Sequence, residues 1–166
     1  GGSASPIGAS TADRANLILN GGTLDYTGAA AVIDRGFTIA AANSGISVQS
    51  SLEMKGGVST SAGNLIKTGP GNLILSNDSA NGIGLTTPGL RVTEGTLTLK
   101  GAGPQTNAVT GEMWVSNTPD VSANLVLNNT SLTTTNFLAI GRGNGSTGVV
   151  CNMTVTDSTL NTVNFS

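Results

Sequence analysis

Short apolar phrases of three to five residues recur along almost the whole of this chain. In order they include Asn16-Leu17-Ile18-Leu19, Gly36-Phe37-Thr38-Ile39, Gly45-Ile46-Ser47-Val48, Asn64-Leu65-Ile66-Lys67 and Asn72-Leu73-Ile74-Leu75. Then come Leu90-Arg91-Val92, Gly95-Thr96-Leu97-Thr98-Leu99, Trp114-Val115, Asn124-Leu125-Val126-Leu127, Phe137-Leu138-Ala139-Ile140 and Met153-Thr154-Val155. Gly, Asn or Pro separates them. Apolar positions that alternate with polar ones predict short strands with one side buried. Helical periodicity is almost absent. Its best candidate, Gly28-Ala29-Ala30-Ala31-Val32-Ile33, is too short and too glycine-flanked to make a helix.

The phrases also repeat. Asn16-Leu17-Ile18-Leu19 returns unchanged at Asn72 to Leu75 and nearly so at Asn124 to Leu127. Gly22-Thr23-Leu24 returns at Gly95-Thr96-Leu97 and, loosely, at Ser158-Thr159-Leu160. A longer echo pairs residues 16–36 with 124–143, each closing on Arg-Gly. The period is roughly 20 residues, a solenoid repeat. Strands this short cannot stand alone in a sheet. Stacked coil on coil, each pairs with its equivalents above and below, and inward Leu, Ile and Val form ladders. Outward Thr and Ser suit strand geometry, and Gly and Asn take the corners. The pattern therefore predicts an all-β chain wound as a parallel β-helix, one unit over residues 1–166 of roughly eight coils. A leucine-rich repeat would need a regular Leu-x-x-Leu-x-Leu frame and a helical return, and neither is present.

Composition narrows the function. Charged residues are 10% and aromatics 3%, with 24 glycines and a net charge of −2. The seven basic residues are not clustered, so the electrostatic footprint of a nucleic-acid binder is missing. No apolar run approaches the ~20 residues that span a bilayer. The opening Gly1-Gly2-Ser3-Ala4-Ser5 lacks the features of a signal peptide. Together with a last strand that stops at Ser166, it suggests a segment of something longer.

Residues 64–101 resemble a known family. Leu65-Ile66-Lys67-Thr68-Gly69-Pro70-Gly71-Asn72-Leu73-Ile74-Leu75-Ser76, followed by Leu90-Arg91-Val92-Thr93-Glu94-Gly95-Thr96-Leu97-Thr98-Leu99, is similar to the autotransporter-associated β-strand repeat. That pattern runs Leu-x-Lys-x-Gly-x-Gly-x-Leu-x-Leu-Ser, then a variable stretch, then a Gly-Thr-Leu strand. Residues 132–160 resemble a related passenger repeat. Arg35-Gly36-Phe37-Thr38-Ile39 resembles a phrase of large secreted β-helical proteins. The resemblance implies a right-handed parallel β-helix, exported to or beyond the surface of a Gram-negative-type bacterium. Two departures stand out: residues 77–89 lack the usual Asn-Thr-Tyr-x-Gly core, and no C-terminal membrane barrel is present.

Candidate chemistry is sparse. The acids are Asp13, Asp25, Asp34, Asp78, Asp120, Asp157, Glu53, Glu94 and Glu112, no two within three residues of each other, and there is no His. Paired-acid and nucleophile–base arrangements therefore find no local signature. The single Cys151 shares a period-two face with Val149, Met153 and Val155 and reads as a small buried apolar residue. Gly141-Arg142-Gly143-Asn144-Gly145 lacks the Lys-Ser/Thr of a phosphate loop and reads as a turn. Six Asn-x-Ser/Thr sequons, at Asn77, Asn128, Asn129, Asn144, Asn152 and Asn164, barely exceed chance, and stacked Asn ladders account for them. Trp114, Tyr26 and Phe37 either mark a sugar-stacking surface or cap a narrow core.

The expectation is a structural, adhesive rod with no catalytic, cofactor-binding or metal-binding residue. The alternative is a carbohydrate-binding or polysaccharide-cleaving β-helix, which needs acids or exposed aromatics gathered in one groove. Expected partners are the chain itself through end-to-end stacking of open coils, surface glycans, and host or neighbouring cell surfaces.

Overall fold

A computed structural model of the protein describes residues 9–77, 83–116, 120–141 and 150–166, leaving aside the side chains of 77, 83, 84 and 102–105. The chain is nearly all β and winds as a parallel β-solenoid of about five turns, at about 24 residues per turn. All the strand pairings are parallel, each strand bonding to equivalents one coil above and one below. Three faces enclose the core. The first stacks Thr23–Tyr26, Ser44–Val48, Asn64–Thr68, Gly89–Val92, Met113–Val115 and the end of Ala123–Ile140. The second stacks Ala31–Ile33, Ser51–Met54, Asn72–Asn77, the start of Gly95–Val109, the start of Ala123–Ile140, and Asn152–Thr156. The third begins with Ile18–Leu19, Phe37–Ile39 and Val58–Thr60, which form a separate three-stranded sheet. It continues with Ile83–Thr87, positions 105–109 and 130–134 of the two long strands, and the start of Thr159–Phe165, whose end stacks on Leu138 of the first face. Between its two parts the Thr60 hydroxyl donates to the Thr86 carbonyl, and Thr87 Oγ1 to the Gly63 carbonyl at 3.3 Å.

The alternation in sequence becomes ladders in space. On the second face Ala31, Leu52, Leu73, Leu97, Leu125 and Met153 stand one above another. Beside them run Ile33, Met54, Leu75, Leu99, Leu127 and Val155. Leu73, Leu97, Leu99, Leu125 and Leu127 are fully buried. Exposed large apolar side chains occur, among the described residues, only in the first coil (Ile18, Val32) and the last (Val150, Val155, Val163, Phe165).

Several expectations need correction. The period of roughly 20 residues holds only for the first coils. Asn43 bonds to Asn64, 21 positions on, whereas Asn124 bonds to Asn152, 28 positions on. There are accordingly about five turns instead of eight. The added residues enter at corners, with register shifts between Lys100 and Gln105 and between Thr134 and Phe137. Corners lie on the surface, where extra length is tolerated.

Strand lengths also differ from the sequence reading. Gly95–Val109 has 15 residues and Ala123–Ile140 has 18, because pairing continues round the corners of the later coils. The Gly28–Ile33 phrase is no helix and ends in the strand Ala31–Ile33. The one described helix is a 3-10 turn at Arg14–Asn16.

The echoes do not all mark equivalent positions either. The Asn72 and Asn124 copies lie on the same face, with the Gly95-Thr96-Leu97 phrase stacked between them, Leu73 to Leu97 to Leu125. The Asn16 copy belongs to the third face and the Gly22 copy to the first. All three faces demand the same polar–Leu alternation, so the phrase does not encode the face.

The ladders set the cost of a defect. Leu97→Ala removes a side chain packed against Leu73 and Leu125 and should cost about 2–5 kcal/mol. Ile74→Ala, outward on the same face in the adjacent coil, should cost far less. Urea denaturation of both variants measures the difference, and equal costs would contradict the assigned faces.

Candidate functional site

The most chemically distinctive place in the molecule is a corner between the first and second faces. In Asn64-Leu65-Ile66-Lys67 the alternation puts Lys67 on the same side as Leu65, facing the core. It stands in an aliphatic ladder, between Ile46 and Val92, and is fully buried. Its ammonium has three N–H bonds and uses all three. Nζ donates to the carbonyls of Thr68 at 2.8 Å, Gly69 at 2.7 Å and Glu94 at 3.0 Å. The Glu94 carboxylate in turn accepts from the Gly69 backbone N–H at 3.1 Å. A buried ion needs this degree of pairing.

The motif glycines follow from the same corner. Gly69 and Gly95 take φ of +76° and +68°, and a Cβ at Gly95 would strike the carbonyl oxygens of Gly69 and Gly71. Lys67, Gly69 and the Glu94-Gly95-Thr96-Leu97 run are thus one stacked corner. Burial pushes the Lys67 ammonium down from its usual 10.5 to about 8, with the charge of Glu94 opposing the shift.

The outer wall of this corner is an open cleft of about 360 Å³ lined by Pro70, Glu94, Thr96, Asp120, Ser122 and Asn124. Stacking brings two acids from distant sequence to this cleft, Glu94 and Asp120. The Glu94 carboxylate accepts from the Gly69 N–H, and its charge stands against the buried Lys67 ammonium. The other described acids are dispersed. Asp13 caps the 3-10 turn, accepting from the Ala15 N–H. Asp25 lies outward on the first face, Asp34, Glu112 and Asp157 lie on other corners, and Glu53 lies outward on the second face. Glu53 accepts from Ser76 at 2.7 Å and from Lys100 at 3.5 Å, tying three successive coils together. No cluster of three or more metal-ligating side chains occurs among the described residues.

The aromatics divide. Phe37 is fully buried in the core. Tyr26 packs against the core at the first rung, its hydroxyl donating to Ala29. Trp114 lies on the outer side of the first face, with the Arg91 guanidinium 4.5 Å from its ring centre. That stacked arginine occupies an aromatic face which a sugar ring would need.

The chain is similar to a bacterial adhesin. Over 83 residues it is 46% identical to the "Adhesin BmaC autotransporter" of Brucella suis biovar 1 (strain 1330). The match covers 48% of this chain but 2% of that protein, so the chain spans a small fraction of its relative's length. No family model and no solved structure matches the chain.

Other positions singled out from the sequence are ordinary. Cys151 is half-buried, just before Asn152–Thr156. Met153 and Val155 do face inward, over Leu125 and Leu127, but Val155 is 45% exposed in the last coil. Of the sequons, Asn128, Asn129, Asn152 and Asn164 are exposed, and Asn152 donates to Asn124 at 3.1 Å in a stacked amide pair. Val149, Asp78, Asn144, the Asn77 side chain, and positions 142–145 of the glycine-rich turn lie outside the described residues. No helix among the described residues is long and apolar enough to cross a membrane. Lys67 was missed as a site residue, although its inward place in the alternating phrase was a usable signal.

Lys67→Met should lower stability by about 1–3 kcal/mol at neutral pH, because three buried carbonyls lose their donor. The wild type should also gain stability relative to this variant as pH rises from about 8 toward 10.5. In that window the unfolded chain holds a proton at Lys67 that the folded chain has released, so raising pH favours folding. Urea midpoints at pH 7.5, 9 and 10 measure both effects.

Proposed function

We propose that this chain is a stretch of the passenger rod of a surface-displayed bacterial adhesin, with a structural and adhesive role and no catalysis of its own. The observation that carries the reading is the 46% identity over 83 residues to an autotransporter adhesin, in a chain that folds as a parallel β-solenoid. A solenoid grows by adding coils, each contacting only its neighbours, which suits a long protein that must hold a binding surface away from a cell. The finer assignment, to the autotransporter-associated β-strand repeat, draws support from residues 65–76 and 95–99, whose two strand phrases stack as consecutive rungs. Surface localisation belongs to the same reading.

Latex beads coated with the chain test the adhesive role. Applied to cultured epithelial cells and to bacterial lawns, they should be retained several-fold more than albumin-coated beads. Retention at the albumin level on both surfaces would overturn it.

A second reading, head-to-tail association, draws on the large apolar side chains exposed among the described residues, Ile18 and Val32 at one end of the stack and Val150, Val155, Val163 and Phe165 at the other. Sedimentation at micromolar concentration should then show association that Val155→Asp weakens. A monomer at all concentrations sinks this reading and leaves the first intact.

A further inference from the structure

The three faces are not equally continuous. Consider the coil of Ser44–Val48, Ser51–Met54 and Val58–Thr60 and the coil above it. On the first face, residues 44–47 pair with 65–68. On the second, residues 51–54 pair with 72–75. The third face is different. Val58–Thr60 bonds down to Phe37–Ile39, and Ile83–Thr87 bonds up to Gly95–Val109. Among the described residues, no backbone pairing joins Val58–Thr60 to Ile83–Thr87.

The upper strand shows a local cause. Its register shifts between Ile83 and Thr86, and such a bulge bends a strand and disrupts its pairing. There the Leu85 N–H donates upward to the Asn107 side-chain oxygen at 2.8 Å. Side chains stand in for the missing ladder. The Thr60 hydroxyl donates to the Thr86 carbonyl. Thr87 Oγ1 lies 3.3 Å from the Gly63 carbonyl oxygen below but 2.8 Å from that of Gly89, and its single proton serves the nearer one. Val58 and Leu85 are buried on either side, so apolar packing closes the core where backbone bonds do not.

Across the section from this seam, the same two coils are pressed together. In a three-sided rod, the corner between the first and second faces lies opposite the third face. At that corner the Gly71 N–H donates to the Val48 carbonyl and the Asn72 N–H to the Ser50 carbonyl, each at 2.8 Å. A Cβ at Gly71 would stand 2.1 Å from the Ser50 oxygen, and one at Gly69 2.6 Å from the Val48 oxygen. One side of the stack is therefore joined through backbone, and the other meets through side chains. Local opening begins where such bonds are fewest. We propose that the seam is a hinge in the rod. The coils below and above it are two stiff stacks that rotate about the corner of residues 48–50 and 69–72, and they part on the third face. The rod thereby bends in one direction, toward the corner of the first and second faces. This inference goes beyond the adhesive reading and does not depend on it.

Paired spin labels on the full chain, in a Cys151→Ser background, test the hinge. Thr38→Cys with Thr133→Cys spans the seam on the third face. Val32→Cys with Val126→Cys joins the same two coils on the second face. Both pairs span the same stretch of rod, ~19 Å at ~4.8 Å per rung. Double electron–electron resonance should give the third-face pair a distance distribution at least twice as broad as the second-face pair, extended toward longer distances. Thr60→Val removes the donor across the seam. It should broaden the third-face distribution further and leave the second-face one unchanged. Equal widths, a broader second-face pair, or a Thr60→Val effect that is absent or shared by both pairs would each overturn the hinge. Should Thr60→Val fail to fold, the comparison of the two labelled pairs without it still decides.

Discussion

Everything in this molecule depends on parallel, in-register pairing between one coil and the next. Among the described residues, no strand outside the two long ones has more than seven residues, and many have three or four. Such strands are not stable in isolation. Each gains its backbone partners and its buried side only from the coils above and below. The result is a fold whose stability is collective along the axis and weakest at its ends, as in other repeat architectures.

Stacking leaves one problem unsolved, which is how to turn a corner without stranding backbone carbonyls inside. The chain uses whichever donor fits. Ser44 turns its buried hydroxyl toward the carbonyls of Leu19 and Ala41 at one corner. At the next coil of the same face, Lys67 reaches three carbonyls with one ammonium. Further on, Ser116 donates to Val121 at 3.1 Å. The lysine is the costly solution, because it places a charge in an aliphatic ladder, and Glu94 is the compensation. The same acid lines the outer cleft.

With the interior committed to apolar ladders and corner bonds, function is left to the outer faces. Their chemistry is free to differ because outward residues touch little but their own column. One face stacks an arginine on a tryptophan, one ties three coils with Glu53, Ser76 and Lys100, and one presents uncharged hydroxyl groups.

The sequence by itself determined the class of fold. Alternating phrases too short for an isolated sheet, repeated at nearly fixed spacing, have few other ways to bury their leucines. It also disclosed the dispersal of the acids and the missing histidine, which are facts of composition. What only the tertiary structure decided was which phrase sits on which face, and how many residues each coil takes. The Asn16 and Asn72 phrases are identical, yet they lie on different faces. A strand's inward–outward alternation is local, whereas its face is set by how many residues each preceding corner consumed. For the same reason the meeting of Lys67 with Glu94, 27 positions apart, and of Thr106 with Ser131 and Thr159 could not be read from spacing. Contacts across coils follow the accumulated length of the corners, and corner length is the part of this sequence that varies most.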